Sequence, residues 1–271
     1  MKLVVIGNCQ ARPLAARLAV ARGVSRADPI ILHLARDEDE AVHTEAISSA
    51  NIILAQATAN DFRPRHLASG TLRAVYANRV LVWPNVFYAG QQPFLRYVTH
   101  SEAGRIKGPF DVYHDLRLLA AWRARQGLGL APEQEAETQL AAEVSRDSLK
   151  TLRARETGCD VQIADMIEEH MAERRCFFTF NHPSGWLLDK LAERLGDHIG
   201  LTPLPPPPKE WEPLGRIAPP GMMLTEELRA PAFRIYDAIA PLLMVPEKLR
   251  TTPPFNGDAA WLGWAKQGGT R

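Results

Sequence analysis

The residues best suited to do chemistry stand near the N-terminus, in Gly7-Asn8-Cys9-Gln10. They close an apolar, β-branched run at residues 3–6 that reads as a strand buried on both faces. Leu14, Leu18 and Ala21 follow at helical spacing. A thiol at such a strand-to-helix turn meets unpaired backbone N–H groups and the positive end of a helix dipole, and both lower its pKa. Cys9 is thus a candidate nucleophile. Gly7 permits a tight turn, and Asn8 and Gln10 supply amides able to hold an oxyanion. The plainer reading makes Cys9 a small buried hydrophobe beside a turn.

The second constellation is Asn181-His182-Pro183, directly after the apolar run Cys176-Phe177-Phe178-Thr179-Phe180. Pro183 restricts His182 to extended geometry and so fixes where the imidazole points. A neutral imidazole in a cleft is the usual general base near neutral pH. The alternative is that Asn181 and Ser184 merely cap the following helix, with His182 a bystander. Tyr113-His114-Asp115 opens another helix and would place His114 over the same site. His33 and Gln56, at the ends of the second and third strands, point to the same sheet edge, where a satisfied polar group is the simpler reading. His43, His66, His100, His170 and His198 lie among charged residues and are assigned to the surface.

Arg146, Lys150 and Arg153 recur at four- and three-residue spacing along one helix face, and Arg155 and Arg12 add further cations. Such groups can grip phosphate oxygens. A solvated face balanced by Glu143, Asp147 and Glu156 is the simpler account. Neither Gly-x-Gly-x-x-Gly nor Gly-x-x-x-x-Gly-Lys occurs, so the usual dinucleotide and nucleoside-triphosphate cradles are excluded. Cys9, Cys159 and Cys176 are too widely spaced for a paired zinc motif or a disulfide framework, and no metal site is expected.

Strands at residues 3–6, 29–34, 51–56 and 79–83 alternate with helical segments, and residues 176–180 suggest a fifth. That pattern predicts an α/β fold with a parallel, doubly wound, flavodoxin-like sheet of about five strands. Its ligands would bind at the carboxyl ends of the strands. Residues 84–109 are aromatic and Gly-rich without clear periodicity, the kind of long segment that usually carries function. Helical material follows at residues 113–126 and 133–156. We read residues 1–200 as one α/β domain with a helical insertion at about 110–175. Residues 201–271 are then a proline-rich linker and a docked tail.

The 271 residues carry 32 Lys+Arg against 31 Asp+Glu, a net charge of +1, which argues against nucleic acid or an anionic membrane as the main partner. No apolar run approaches the roughly 18 residues of a spanning helix, and the N-terminal apolar run is too short for a secretory core. A reducing, cytoplasmic setting is expected, with a homo-oligomer left open.

At these residues the sequence resembles the WcbI-type acetyltransferase family of capsular polysaccharide biosynthesis. The match is carried by Val5-Ile6-Gly7-Asn8-Cys9-Gln10, by Trp83-Pro84-Asn85 and the residues up to Pro93, and by Gly108-Pro109 with Tyr113-His114. It continues through Leu152-Arg153-Ala154-Arg155-Glu156 and Cys159-Asp160 to Phe178-Thr179-Phe180-Asn181-His182-Pro183. The resemblance implies binding of coenzyme A and transfer of an acetyl group from acetyl-coenzyme A to a sugar hydroxyl. Cys9, His182 and His114 would be catalytic. Asn8, Gln10, Gln56, Asn85 and Asn181 would serve the oxyanion or the carbohydrate acceptor, and Arg12, Lys150, Arg153 and Arg155 the coenzyme. A looser likeness joins Gly7-Asn8-Cys9 to the SGNH-type esterases, which place Gly-Asp-Ser after their first strand. Those enzymes carry an Asp three residues before their His, where Thr179 stands here, so Asn181 or Asp115 would have to orient the imidazole. The competing functions are a thiol hydrolase and a coenzyme A-binding module without catalysis.

Overall fold

The structure, a computed structural model, describes residues 1–129, 133–215, 225–255 and 258–264. The chain divides into two compact units, Met1–Tyr88 with Ser148–Arg216 and Ala89–Asp147 with Ile217–Arg271. The prolines at 205–208 thus fall in the first unit and the residues beyond 217 in the second.

In the first unit, β1 (Lys2–Gly7), β2 (Arg26–Ile31), β3 (Ile52–Gln56) and β4 (Val80–Trp83) form a parallel sheet in the order β2-β1-β3-β4. The helices α1 (Ala11–Ala19), α2 (Glu40–Ser48) and α3 (Ser69–Tyr76) connect them. Alternation along β1 explains its continuous apolar run. Leu3 and Val5 pack into one core with Leu14 and Leu18 of α1, while Val4 and Ile6 pack into another with Ile47 of α2 and Leu72 of α3.

The sheet ends at four strands, not the expected five. The slot beside β4 is taken by Asp160, whose N–H donates to the Val82 carbonyl at 2.8 Å and whose carboxylate accepts the Val82 N–H at 2.6 Å. The apolar run at 176–180 instead folds back on itself. Its strand β5 (Phe177–Thr179) pairs antiparallel with β6 (His182–Pro183), with Asn181 in the turn between them. Three residues before a turn are too few to extend a parallel sheet, but enough to bury Phe177 and Phe178.

The other regular elements of the first unit are helices. The long helix α4 (Gln134–Glu156) enters from the second unit, and α5 (Ala164–His170) and α6 (Gly185–His198) follow. Glu156 caps α5 by accepting the N–H groups of Ile163 and Ala164, at 2.6 and 2.9 Å. Ser184 caps α6 as expected, accepting the Leu187 N–H. A buried ion pair at 2.6 Å between Arg17 and Asp189 joins α1 to α6.

The second unit is built on the strand Leu95–His100, inside the segment that lacks sequence periodicity. It pairs antiparallel with Leu249–Thr252, Gly104–Arg105 and His114–Asp115. Buried arginines stitch this unit: Arg96 pairs with Asp258 at 2.9 Å, and Arg123 donates to the carbonyls of Leu243 and Leu262. His100, expected at the surface, is buried, and its Nδ1 accepts the N–H groups of Glu102 and Ala103.

Candidate functional site

The turn after β1 is held by a ring of carboxamides. The Asn8 N–H donates to Gln56 Oε1 at 2.9 Å, and Gln56 Nε2 donates to Gln10 Oε1 at 3.4 Å. Gln10, with no exposed surface, donates from Nε2 to the carbonyls of Val86 at 2.7 Å and Asn181 at 3.2 Å, and its Oε1 accepts the Val86 N–H. Asn8 Oδ1 accepts the Gln10 N–H at 2.9 Å, and Asn8 Nδ2 donates to Asn85 Oδ1 at 3.1 Å. Five residues read as oxyanion or acceptor groups are thus brought together. The carboxamides of Gln10 and Gln56 are engaged by the protein itself and act as the frame that joins β1, β3 and the loops at 85–86 and 181.

Gly7 is required by a close approach. A Cβ there would lie 2.6 Å from the buried ring of Trp83. The half-buried Cys9 opens onto a cavity of about 380 Å³, within the ~300–1,000 Å³ of small-molecule sites. Its walls are Arg12, Pro13 and Ala16 from α1, Ile31 at the end of β2 with His33 and Leu34 beyond it, and Trp211, Pro213 and Leu214. That last wall is seated on the start of α6: Glu212 accepts the Gly185 N–H at 2.7 Å, and a Cβ on Gly185 would sit 1.6 Å from the Trp211 carbonyl oxygen.

The expected lowering of the Cys9 pKa does not occur. Burial raises it, and the opposing N–H groups of Cys9 and Gln10 do not offset the lost hydration. Burial also raises Cys159 and Cys176, to about 11 each. The half-buried His182 is shifted the other way, since burial disfavours the imidazolium. It stands one residue after the Asn181 carbonyl that Gln10 holds, while Asn181 Oδ1 accepts the Thr179 hydroxyl at 3.0 Å.

The remaining candidates separate. His114 belongs to the second unit and is fully buried. Its Nε2 meets the Ile106 carbonyl at 3.1 Å, its ring stacks on Tyr236, and burial pushes its pKa down to about 4. The ring is thus enclosed by residues of its own unit. Arg155 braces the loop after β4, donating to the Asn85 carbonyl at 2.9 Å with its guanidinium over the Phe87 ring. Arg153 is exposed and paired with Glu168, and Lys150 is exposed on α4. Of the four cations, Arg12 alone lines the Cys9 cavity. The sequence reading missed the wall at 211–214, which carries no motif; His33, read there as a polar group at the sheet edge, lines the same cavity. Among the described residues no group of three or more His, Cys, Asp or Glu is placed to hold a metal ion, and no helix is long and apolar enough to cross a membrane.

Comparison with curated proteins finds no match. Among solved structures the chain is similar to one of WcbI, a polysaccharide biosynthesis enzyme, described as the native protein without a disulfide bond between coenzyme A and one of its cysteines. The identity is 21% and the TM-score 0.64, over 79% of this chain and 74% of that one, a likeness that establishes the fold. The family model for the polysaccharide biosynthesis enzyme WcbI matches residues 2–204, three quarters of the sequence, and the chain belongs to that family.

Proposed function

We propose that this protein transfers an acetyl group from acetyl-coenzyme A to a hydroxyl of a carbohydrate acceptor, with Cys9 as nucleophile and His182 as the base for the acceptor. The observation that carries the reading is the cavity at the carboxyl edge of the parallel sheet, where a half-buried thiol faces an apolar wall and one cation, Arg12. That lining fits the thiol end of a pantetheine arm, a narrow chain with apolar sides, and gives a phosphate-bearing ligand a partner. The solved WcbI structure, described by reference to a bond between coenzyme A and a cysteine, supports a thiol next to the coenzyme here as well.

In this mechanism the Cys9 sulfur attacks the acetyl carbonyl, a bond forms from sulfur to the acyl carbon, and the coenzyme leaves as its thiol. N–H groups at the start of α1 face the developing oxyanion. His182, held neutral by burial, then takes the proton of the acceptor hydroxyl as that oxygen attacks the acyl group, and the proton returns to the departing Cys9 sulfur. Asn8, Gln10, Gln56 and Asn85 hold the loops in register, so the two reacting side chains stay on a rigid frame.

The test is incubation with acetyl-coenzyme A and a panel of mono- and oligosaccharides, with free thiol and acetylated sugar measured together. The proposal expects both products in equal amounts, neither above background for Cys9→Ala, and for His182→Ala no acetylated sugar and at most the single free thiol that acylation of Cys9 releases. Free thiol without an acetylated sugar in every mixture makes the protein a thioesterase, and no thiol release at all removes the transferase reading.

A further inference from the structure

We propose that His33 is the proton acceptor for the Cys9 thiol, leaving His182 to serve the acceptor hydroxyl, an inference that rests on the acyl-transfer reading above. The strand register carries it. β1 and β2 run parallel with Gly7 opposite Ile31, and the Leu32 N–H donates to the Gly7 carbonyl at 2.8 Å. Cys9 and His33 each stand two residues beyond that last pair, past the ends of neighbouring strands, at the edge where α/β folds bind ligands. The two chains then turn, Cys9 into α1 and residues 32–35 back onto the Ile31 carbonyl, and both side chains line the same cavity. His182 is not among the residues that line it.

His33 is exposed, and among the described residues its ring is committed to no hydrogen bond. The other ionisable group on the cavity wall besides Cys9 and His33 is Arg12, and the remaining surface is apolar. A thiol in that setting needs a base, because burial holds it in the protonated form, which is a poor nucleophile. The step balances without any further reagent. The imidazole of His33 takes the Cys9 proton as the sulfur bonds to the acyl carbon, the bond from that carbon to the coenzyme sulfur breaks, and the imidazolium returns its proton to the leaving thiolate. Arg12 faces the thiolate as it forms.

The experiment uses iodoacetamide on the whole protein, with alkylation of Cys9 followed by peptide mass spectrometry from about pH 5 to about pH 10. His33→Gln, His33→Asn and His182→Gln are compared with the unsubstituted chain. The expected result is an inflection of the wild-type rate in the imidazole range that both His33 variants lack, with alkylation near neutral pH slowed about tenfold or more. His182→Gln retains the inflection. Equal rates and profiles in wild type and both His33 variants overturn the proposal, as does a loss confined to His182→Gln. Because no coenzyme is present, the result is separable from the transferase reading. Slowed alkylation in a protein that never releases thiol from acetyl-coenzyme A leaves the Cys9–His33 pair standing and rejects the transfer reaction.

Discussion

Gln10 Nε2 donates to the carbonyl of Asn181 at 3.2 Å, so one side chain ties the residue after Cys9 to the residue before His182. The same group also bonds Val86 through both of that residue's backbone polar atoms. Gln10→Leu would leave these buried groups unpaired, at about 1–3 kcal/mol for each group so stranded. We expect the urea midpoint to fall and activity to fall with it. A variant with unchanged stability and turnover would mean that the ring of carboxamides does not fix the site.

Much of this frame was legible early. The runs at 3–6, 51–56 and 79–83 became β1, β3 and β4 because buried parallel strands need unbroken apolar residues, and Ser184 announced its helix by capping chemistry. β2 starts three residues earlier than expected because Arg26, Ala27 and Asp28 lie on an edge strand, where burial demands little. Leu95–His100 was hidden because its partner Leu249–Thr252 is remote in sequence. The hydrogen bonds of Gln10 and Gln56 to the protein were not legible, since a carboxamide has the same chemistry whether it meets a ligand or clamps a backbone. The rise in the Cys9 pKa depends on tertiary burial that no local pattern encodes.

The wall of the Cys9 cavity depends on a glycine. In Gly185→Ala the new methyl would collide with the Trp211 carbonyl, so the segment at 211–214 must leave its seat on α6. Calorimetry should find stability lowered by roughly 1–3 kcal/mol, the usual range for overpacking, and coenzyme A affinity reduced in the fraction that folds. Retention of both would place that wall outside the binding site.

The cations should divide by position. Arg12→Ala is expected to weaken coenzyme A about tenfold, about 1.4 kcal/mol, while Arg153→Ala, exposed and already paired with Glu168, changes the dissociation constant by less than about twofold. Titration calorimetry distinguishes the two. The reverse ranking would move the phosphate site to α4.

Acid should loosen the protein through His114. Its native pKa, about 4, lies below the ordinary 6.5, so the unfolded chain binds more protons across that interval. Its contribution to stability is full above about pH 6.5 and is lost as the pH falls toward about 4, by ~3 kcal/mol in all. Urea unfolding across this window should give a flatter pH dependence for His114→Asn. Parallel slopes would show that His114 titrates alike in both states.

The central claim, that Cys9 carries the acyl group, is tested most directly by mixing the protein with acetyl-coenzyme A and no acceptor. Covalent transfer predicts a burst of one free thiol per active site, a peptide containing Cys9 that bears the acetyl group, and neither in Cys9→Ala. Absence of any burst in protein that acetylates a sugar once the acceptor is added would contradict it and make the transfer direct.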